Sequence, residues 1–510
     1  MGDNTNETLE NIARVAGRKG KILISTMGSP FLDSEKVFPY LGILYLLSVA
    51  KSLGFRVKYI EKPMEIEQHL HSFDLFYTDT VEHSDMSFYN NFDMIALSVL
   101  TPQGEEAQRL LEQIKGADRE KIVIVGGPHP NHYLDECLAT GYDIIVQGDG
   151  ERIFKHLLEG DVAELKKYVR SRPESAPIVL RDQLSAELMN DYPIPLRERE
   201  YIYSYKYELD GQLATTMVNS RGCPMGCKFC EDSRTVGRWY GVDHFEEELA
   251  SIVELGINSV MIFDDLFALS SSRLKPYAEI LERYHRFRGL TYRCFAHARS
   301  IASDPGLIPL LSESGCIEVG FGAESGCQKI LDVVGKCTTV AMNRELIENF
   351  ISNNIKVKSF FMIGLPGETH YSAQKTGDFI KHYRRKYPSM FDFDMSVFFP
   401  YKGTLIGSAI RLRDGEEMHV GRESITNKRF NIRLIPELSW SDIDSHSYGA
   451  YKKKGGASDL IIETYDHGRG KILLKAEEIK RVKEKIMNYS KRYTDPAGNR
   501  IFTPVKEGNI

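Results

Sequence analysis

The chain has 510 residues, of which 42% are hydrophobic, 27% charged and 10% aromatic, and this composition excludes a disordered or fibrous protein. At about 100–200 residues per domain, the length predicts two to four domains. The net charge is -6, from 65 Lys and Arg against 71 Asp and Glu, so nucleic acid is not the expected partner. The longest apolar stretch, residues 40–50, is shorter than the about 20 residues that a membrane-spanning helix needs, and we expect no membrane span.

The first part of the chain alternates between strand and helix patterns after a polar beginning. Residues 1–20 have no apolar stretch typical of a secretory signal, and we expect a polar tail. Strands are predicted at 21–26, 55–60, 93–98, 121–125 and 142–147, with helices at 40–53 and 104–115. This alternation predicts a doubly wound parallel sheet over residues 21–165, whose last strand is 142–147. The Pro-containing stretch that follows indicates a linker over 166–212.

The alternation resumes in the second part of the chain. Strand candidates lie at 214–219, 260–263, 292–295, 317–320, 356–361 and 394–398, and helix candidates at 243–255, 273–286, 327–333 and 342–354. These repeated units predict an α/β fold, a full or partial barrel of six strands over 213–405, with its chemistry at the carboxyl ends of the strands. Residues 406–510 are charged and irregular, with a helix predicted near 475–493, and we expect an accessory or substrate-capping region.

Three of the eight cysteines lie together, and they carry the main chemical signal. Cys223, Cys227 and Cys230 have a C-x3-C-x2-C spacing directly after the strand candidate at 214–219. Thiolates suit zinc or iron-sulfur clusters. Zinc needs a fourth ligand, and His244 lies outside the usual spacing, whereas a cubane cluster with three protein ligands leaves one iron open. Three buried or zinc-binding thiols remain the alternative, and free thiols indicate a reducing cytoplasm.

The segment 221–230 resembles the signature loop of the radical SAM superfamily, which follows the first barrel strand. Phe229 stands where that family has an aromatic residue beside the third cysteine. The resemblance implies that the three cysteines hold a catalytic 4Fe-4S cluster whose open iron binds S-adenosylmethionine (SAM). Reductive cleavage of SAM then gives methionine and a 5'-deoxyadenosyl radical.

Later segments resemble the same family at the predicted strand ends. Asp264 and Asp265 follow the second strand candidate, where the family places polar groups near the methionine amine of SAM; a helix N-cap pair is the alternative. Glu324 and Ser325 stand in a motif like that of the fourth strand, and the resemblance implies a position near the SAM ribose or carboxylate.

Two further matches complete the order of motifs along the barrel. Gly364 stands in a segment that resembles the glycine motif of the fifth strand, which implies close approach of the backbone to adenine. Residues 400–404 resemble the Pro-x-x-Gly-Thr turn after the sixth strand. Together with the preceding motifs, these matches extend the resemblance over 213–405.

The first domain resembles the cobalamin-binding domain found in front of a large radical SAM subgroup. The segments that carry the resemblance are 38–46, 98–102, 125–130 and 148–151. The residues that it implies near the cofactor are Ser98, Thr101, Gly126, Gly127, His129, Gly148 and Glu151. Glycines at a strand end allow close approach to a nucleotide or corrin edge, although glycines that only turn the chain are the alternative.

The Asp-x-His-x-x-Gly motif, whose histidine binds cobalt in other cobalamin proteins, is absent, because residues 25–30 stand in its place. Radical SAM cobalamin enzymes commonly lack this motif as well. The lower axial ligand is therefore unassigned, and we expect His129 to contact the periphery of the cofactor.

The resemblance implies a cobalamin-dependent radical SAM enzyme, and two reaction types follow from it. The first is methylation of an unactivated carbon, or of phosphorus, in a small molecule; the second is a radical ring closure or rearrangement, as in anaerobic cyclases. A corrinoid-binding sensor without catalysis is a third hypothesis. An enzyme of this kind needs an electron donor such as flavodoxin or ferredoxin as partner.

Overall fold

The computed structural model describes residues 3–27, 38–55, 57–60, 86–100, 103–170, 177–205, 207–398, 401, 403–406, 410–413, 416–420, 432–434, 462–466 and 471–491. They form two compact units. The first comprises 1–207 with 243–255, and the second comprises 208–242 with 256–510. None of the helices in the described part of the chain is long and apolar enough to cross a membrane.

The first unit is built on a parallel sheet of six strands in the order β2-β1-β3-β4-β5-β6. The strands are β1 (Ile22–Thr26), β2 (Val57–Ile60), β3 (Met94–Ser98), β4 (Ile122–Gly126), β5 (Ile144–Gly148) and β6 (Ile178–Asp182). All neighbours pair in parallel. The order reverses at β1, which gives the doubly wound topology predicted from the sequence.

Helices connect and cover these strands. They are α1 (Asp3–Gly17), α2 (Leu41–Ser52), α3 (Met86–Asn90), α4 (Gly104–Ala117), α5 (Pro128–His132), α6 (Leu134–Thr140), α7 (Glu151–Glu159), α8 (Val162–Tyr168), α9 (Ala186–Met189), α10 (Arg199–Tyr203) and α11 (Val242–Glu254). The core between sheet and helices contains the apolar strand residues Leu23, Ile95, Val123 and Ile145. Burial of these β-branched and aliphatic side chains stabilises the sheet.

The predicted polar tail is wrong over residues 3–17, which form helix α1. Leu9 and Ile12 are completely buried, and they recur at the spacing of one helix face. At Gly160 an added Cβ would lie 3.0 Å from the Cα of Ala13, so the helix packs closely on the α7–α8 connection. The charged residues Glu7, Glu10 and Arg14 of this amphipathic helix are exposed.

The predicted linker over 166–212 and the predicted last strand at 142–147 are also corrected. Residues 178–182 form β6, which adds a sixth strand in register with β5. Of the prolines that indicated a linker, Pro177 directly precedes this short strand. Arg152 at the start of α7 forms an ion pair with Asp182, which fixes the end of β6.

The second unit contains a parallel sheet of six strands in the order β9-β12-β13-β14-β15-β16. These are β9 (Thr215–Met217), β12 (Ser259–Ile262), β13 (Thr291–Phe295), β14 (Cys316–Glu324), β15 (Lys356–Ile363) and β16 (Phe391–Val397). Neighbours pair in parallel and follow the chain order. The two outer strands do not pair with each other in the described residues, so the barrel is partial, as predicted.

Short ribbons and helices complete this unit. The ribbons are β7 (Glu208–Leu209) with β8 (Gln212–Leu213), and β10 (Ser220–Arg221) with β11 (Arg238–Trp239). The helices are α12 (Ser271–Arg288), α13 (Ala298–Ser303), α14 (Leu307–Glu313), α15 (Gln328–Val334), α16 (Val340–Ser352) and α17 (His370–Lys386). Helix α17 begins at a capping box of Thr369 and Ser372 and ends in three basic residues, which suits the helix dipole.

The two faces of the sheet differ in burial. Along β15, residues 357, 359, 361 and 363 are buried, whereas 356, 358, 360 and 362 are half-buried. The Phe361 ring packs against Phe379 of α17, with 5.9 Å between ring centroids, so the buried set faces the helices. Strands in consecutive order place their crossover helices on one side. The half-buried set therefore lies on the inner face of the partial barrel.

The C-terminal region is described only in part. Two antiparallel sheets comprise β17 (Ile410–Arg413) with β18 (Glu416–Val420), and β19 (Ile432–Leu434) with β20 (Ile462–Asp466) and β21 (Lys471–Leu474). Helix α18 (Ala476–Lys491) confirms the helix predicted near 475–493. Its Ile479 and Ile486 are buried, and His370 Nε2 lies 3.1 Å from Glu478. The helix thus packs onto the second unit beside α17.

Candidate active site

The three cysteines lie on one loop that connects the ribbon strands β10 and β11. The ribbon pairs Ser220 with Trp239 and Arg221 with Arg238, so both ends of the loop are fixed. Gly222 begins the loop with φ +89, and an added Cβ would lie 2.8 Å from the Val236 carbonyl oxygen. Only glycine fits this position without strain, because both the backbone angle and the space exclude a side chain.

Thr235 closes the loop across its width. Its hydroxyl Oγ1 accepts a hydrogen bond from the Cys223 amide at 2.8 Å and donates one to the Asp232 carbonyl oxygen at 2.8 Å. The Arg234 amide donates a hydrogen bond to the Met225 carbonyl oxygen at 2.8 Å. The Lys228 backbone amide donates one, at 3.0 Å, to the carbonyl oxygen of Val334, the last residue of α15. The loop therefore has a defined backbone that presents the cysteine side chains.

All eight cysteines of the chain are free thiols, and those of the loop differ in exposure. Cys227 is buried, and Cys223 and Cys230 are half-buried. Burial raises the pKa of each loop thiol, that of Cys230 to about 12. Binding of a metal centre therefore requires these thiols to lose their protons.

The donor set fits an iron-sulfur cluster better than a single ion. Among the described residues, no group of three or more His, Cys, Asp or Glu lies in an arrangement that holds one metal ion. Iron-sulfur clusters are held by cysteine thiolates, and three protein thiolates leave one iron of a cubane cluster open. Three free thiols on one fixed loop at a strand end meet that requirement.

Asp264 and Asp265 hold the cysteine loop rather than a helix end. The Asp264 carboxylate is completely buried and accepts hydrogen bonds from the Asn219 amide and the Ser220 hydroxyl, both at 2.6 Å. Asp265 is exposed and accepts from the Gly222 amide at 3.2 Å. Desolvation raises the pKa of Asp264 to about 7 and that of Asp265 to about 6. The alternative of a helix N-cap pair is wrong, because the next helix begins only at Ser271.

Glu324 pairs with Lys336, a residue that the sequence analysis missed. The Lys336 Nζ lies 2.9 Å from Glu324 Oε1, and both side chains are 8% exposed. Burial lowers the pKa of Lys336, but the charges of Glu324 and Cys227 and the hydrogen bond to Glu324 together outweigh burial and hold this pKa above its usual value. The ammonium group also lies 5.6 Å from the ring centre of Phe229. A fixed positive charge therefore stands beside the cysteine loop.

The backbone of β14 creates the room for this ion pair. A register shift occurs between Gly322 and Glu324, and Glu324 has φ +60. An added Cβ at Gly322 would lie 2.1 Å from Glu324 Oε1 and 2.7 Å from Lys336 Nζ. The bulge turns the carboxylate toward the lysine, a common device beside active sites. No local pattern in the sequence identified Lys336, since it simply follows a helix-ending glycine.

Ser325 and Gly364 have structural partners at the strand ends. The buried Ser325 hydroxyl lies 3.1 Å from Thr376 Oγ1 and accepts from the Cys327 amide at 3.1 Å. Gly364 has φ +85, and its amide donates to Glu368 Oε2 at 2.6 Å. Glu368 is completely buried, and desolvation raises its pKa to about 8. Their predicted contacts with SAM stay predictions.

In the first unit, the carboxyl ends of the central strands carry small residues. Thr26, Ser98, Gly126 and Gly148 end β1, β3, β4 and β5. This edge adjoins the position where the strand order reverses, which is where open α/β sheets bind ligands. Strand ends without a bulky side chain fit a flat macrocycle or its nucleotide tail.

The two glycines with positive φ also have backbone reasons for being glycine. At Gly127 an added Cβ would lie 2.9 Å from the Val99 carbonyl oxygen, and at Gly148 it would lie 1.9 Å from that of Asp182. Gly127 and Gly148 therefore both turn the chain, which was the alternative role for glycines at these strand ends. This does not exclude a ligand, because tight turns bring backbone amides to the same edge.

The other predicted residues of this edge lie in different surroundings. The His129 ring is buried and stacks on Tyr133, with 5.1 Å between ring centroids, and two of its atoms lie 2.9 Å from an added Cβ at Gly104. Glu151 is buried in the first turn of α7. Thr101 lies outside the described residues, as does Pro400 of the predicted turn at 400–404.

Gln103, which the sequence analysis missed, ties two strand ends together at this edge. Its amide nitrogen donates to the Met27 carbonyl oxygen at 2.5 Å, and its oxygen accepts from the Leu100 amide at 2.9 Å. The side chain is completely buried. The loops after β1 and β3 are therefore fixed to each other.

Comparisons with known proteins identify both units. Residues 31–158 match the family described as B12 binding domain, and residues 217–380 match the Radical SAM superfamily. An uncharacterised methyltransferase of Pyrococcus horikoshii is 27% identical over 72% of this chain and 77% of its own length. The anaerobic magnesium-protoporphyrin IX monomethyl ester cyclase of Rubrivivax gelatinosus is 23% identical, over 64% of this chain and 60% of its own length.

The fold also matches a solved structure. The radical SAM methyltransferase TsrM of Kitasatospora setae, determined with cobalamin and a 4Fe-4S cluster bound, has a TM-score of 0.62 at 15% identity. The match covers 94% of this chain and 91% of that chain. At this level of identity the likeness concerns the fold.

A doubly wound domain and a partial barrel with three thiols after its first strand define a two-domain α/β enzyme with a metal cluster. By these two matches, the chain combines a B12 binding domain with a domain of the Radical SAM superfamily. The predicted fold class, enzyme class and cofactors (a 4Fe-4S cluster, SAM and cobalamin) are confirmed at the level of these two domain families.

Proposed function

We propose that this protein methylates an unactivated carbon, or phosphorus, of a small-molecule substrate by radical SAM chemistry. The observation that carries the proposal is the fixed loop of three free thiols at the end of the first barrel strand, in a chain that also has a B12 binding domain. A methyltransferase of Pyrococcus horikoshii and the fold of TsrM support methyl transfer over other reactions of the superfamily.

The cofactors supply electron transfer to SAM and a carrier for the methyl group, and the residues of the chain organise them. Cys223, Cys227 and Cys230 are the proposed cluster ligands. Asp264 and Asp265 hold the stem of the loop through its backbone amides. Lys336 provides a buried positive charge beside the thiolates, which favours the anionic form of the ligands.

The proposal is tested by anaerobic reconstitution with iron, sulfide and hydroxocobalamin, followed by incubation with SAM and a strong reductant. We expect 5'-deoxyadenosine from the wild type and none from Cys227→Ala, with corrinoid binding unchanged in the variant. Cys327→Ala is the matched control, because Cys327 is a free thiol outside the loop. Absence of 5'-deoxyadenosine from the reconstituted wild type would contradict the proposal and favour a corrinoid sensor.

The second candidate is radical ring closure, which the similarity to the cyclase of Rubrivivax gelatinosus favours. The two reactions differ in what becomes of SAM. Methyl transfer converts one SAM to S-adenosylhomocysteine and cleaves a second to 5'-deoxyadenosine, whereas cyclisation yields no S-adenosylhomocysteine. Equal amounts of the two products during turnover would support methylation, and 5'-deoxyadenosine alone would support cyclisation.

We further propose a reducing cytoplasmic location and a flavodoxin or ferredoxin as electron donor. The presence of eight free thiols and no disulfide supports the location. A cluster that cleaves SAM needs a low-potential electron for each turnover, which such donors supply. Replacement of the chemical reductant by reduced flavodoxin should sustain 5'-deoxyadenosine formation.

A further inference from the structure

Three phenylalanines form a continuous row on the inner face of the partial barrel. Phe263 follows β12, Phe295 ends β13 and Phe360 lies on β15. Their ring centroids are 5.9 Å apart between Phe263 and Phe295, and 6.0 Å apart between Phe295 and Phe360. We call these three residues the aromatic row.

The intervening strand is glycine where the rings meet. An added Cβ at Gly320 of β14 would lie 2.7 Å from the Phe295 ring and 3.2 Å from the Phe360 ring. The Phe295 and Phe360 rings therefore lie over the backbone of β14, and the three rings form a single apolar surface from the end of β12 to β15. A side chain at position 320 would separate them.

This surface is not packed as a core. Phe263 is 44% exposed, and Phe295 and Phe360 are half-buried, whereas Phe361, their neighbour on the opposite face, is 1% exposed. Phenylalanine rings left half-open to water on a concave face are more typical of a ligand site than of a core. Burial of these rings by a ligand would be favourable by the hydrophobic effect.

The aromatic row adjoins the cysteine loop. The Phe263 amide donates to the Met217 carbonyl oxygen at the end of β9, at 2.8 Å. The next residue, Asp264, binds the Asn219 amide and the Ser220 hydroxyl at the stem of the loop. The row thus begins at the strand end where the cysteine loop leaves the sheet.

The charges along this face are neutralised in pairs. Arg293 lies 3.1 Å from Glu318, and Lys358 lies 3.2 Å from Asp392 and 2.9 Å from Asp394. Lys356, the remaining basic residue of these strands, lies 2.5 Å from Asp210. Each cation described on the strands of this face has a carboxylate partner. A phosphate group would have to displace one of these carboxylates to gain a cation.

We propose that the aromatic row binds the substrate, and that the substrate is a flat conjugated ring without a phosphate group. The proposal rests on the proposed function, because the substrate must lie near the cysteine loop to react. Offset and edge-to-face stacking on three rings selects a planar ligand. The paired charges disfavour nucleotides and other phosphorylated metabolites.

The test measures binding to the reconstituted holoenzyme with saturating SAM, by anaerobic calorimetry. The probes are indole and protoporphyrin IX dimethyl ester, a small and a large flat ring, with cytidine monophosphate as the phosphorylated comparison. We expect at least one ring to bind at least about tenfold more tightly than cytidine monophosphate, and Phe263→Ala to weaken ring binding by about tenfold, equivalent to 1.4 kcal/mol. Phe287→Ala is the matched control, since Phe287 is 79% exposed on α12.

Three outcomes would overturn the proposal: tighter binding of cytidine monophosphate than of either ring, equal ring binding by Phe263→Ala and Phe287→Ala, or a loss in Phe263→Ala confined to SAM affinity. Phe360→Leu serves as a second variant, because it keeps an apolar side chain if Phe263→Ala folds poorly. Formation of 5'-deoxyadenosine without ring binding would reject this substrate class and leave the proposed function intact. Ring binding without any 5'-deoxyadenosine would reject the proposed function instead.

Discussion

Lys336 places a positive charge next to three thiols in a buried part of the second unit. Its ion pair with Glu324 is protected from solvent, so the ammonium group stays charged. The charge lowers the pKa of Cys227, although burial raises this pKa by more. At the residue scale, the site therefore combines soft ligands with a cation that counteracts the cost of their ionisation.

Replacement of this cation should shift the potential of the cluster. In Lys336→Met, we expect the midpoint potential of the reconstituted cluster to fall by at least about 50 mV, because the positive charge favours the reduced, more negative state. An electron paramagnetic resonance redox titration measures this value. Lys358→Met removes a different ion-paired lysine and should leave the potential near that of the wild type. Equal potentials in all three proteins would contradict the role of Lys336.

Glu368 should make stability depend on pH. Its pKa is raised to about 8 in the folded state, so between about pH 4.5 and 8 the folded protein binds one proton more than the unfolded chain. This contribution to stability is complete below the unfolded pKa and is lost as the pH rises through the folded one.

As the pH rises through this window, the free energy of unfolding of the wild type should fall relative to that of Glu368→Gln, by up to about 1.4 kcal/mol per pH unit. Urea unfolding at several pH values measures the difference between the two proteins. Asp304→Asn is the control, because hydrogen bonds from Ser271 lower the pKa of Asp304, so it titrates below this window. If the free energies of unfolding of the wild type and Glu368→Gln change in parallel with pH, the pKa of Glu368 is not raised.

At the scale of elements, the cysteine loop depends on the strand ends that hold it. Gly222 has to be glycine for two separate reasons, its φ of +89 and the 2.8 Å approach of an added Cβ to Val236. Gly211 has only the first of these, since it has φ +76 and no atom within 4 Å of an added Cβ. Alanine substitutions at Gly222 and Gly211 therefore separate the effect of the backbone angle from the effect of a steric clash with the side chain.

Gly222→Ala should reduce the iron and sulfide bound after reconstitution by at least about half, because the clash moves the loop that carries the ligands. Gly211→Ala pays a similar backbone penalty, of roughly 1 kcal/mol, and should bind iron like the wild type. Iron and sulfide analysis with the visible spectrum measures both. Full cluster content in Gly222→Ala would show that the loop tolerates a side chain there.

Helix α1 contributes to the stability of the first unit. Ile12 is completely buried, whereas Glu10 is exposed on the same helix. Ile12→Ala should lower the free energy of unfolding by about 2–5 kcal/mol through the cavity that it leaves, and Glu10→Ala should change it by less than about 0.5 kcal/mol. Denaturant unfolding measures both variants. Equal stability of the two would restore the view of a polar tail.

At the scale of the whole molecule, residues distant in sequence meet in buried polar contacts. Arg197 and Glu248 form an ion pair of 2.5 Å whose side chains are 1% exposed, and the Tyr45 hydroxyl donates to the same carboxylate at 3.3 Å. All three belong to the first unit, although Glu248 lies on α11, beyond the cysteine loop in the sequence. The first unit is therefore assembled from two separated stretches of chain.

Removal of one partner of this pair should cost more than removal of both. Glu248→Leu should lower the free energy of unfolding by about 3–5 kcal/mol, because a buried charge loses its partner, and the double variant Arg197→Met with Glu248→Leu should regain most of this loss. Denaturant unfolding of the wild type, Arg197→Met, Glu248→Leu and the double variant forms a double-mutant cycle. An additive cycle would show that the two residues do not interact.

The sequence by itself determined the alternation of strands and helices, the position of the three cysteines after the first barrel strand, and the family. These follow from local periodicity and from spacing along the chain, which a sequence shows directly. Strand β6 at 178–182 and helix α1 at 3–17 were not predicted, because the surrounding prolines indicated a linker and the polar residues indicated a polar tail.

Only the tertiary structure decided the partners of the site residues. It joined Lys336 to Glu324, turned Asp264 toward the stem of the cysteine loop, and aligned Phe263, Phe295 and Phe360 from three different strands. The physical reason is that these contacts depend on strand order, register and a bulge in β14. A register or a bulge is set by packing between strands, and no single segment of the sequence contains it.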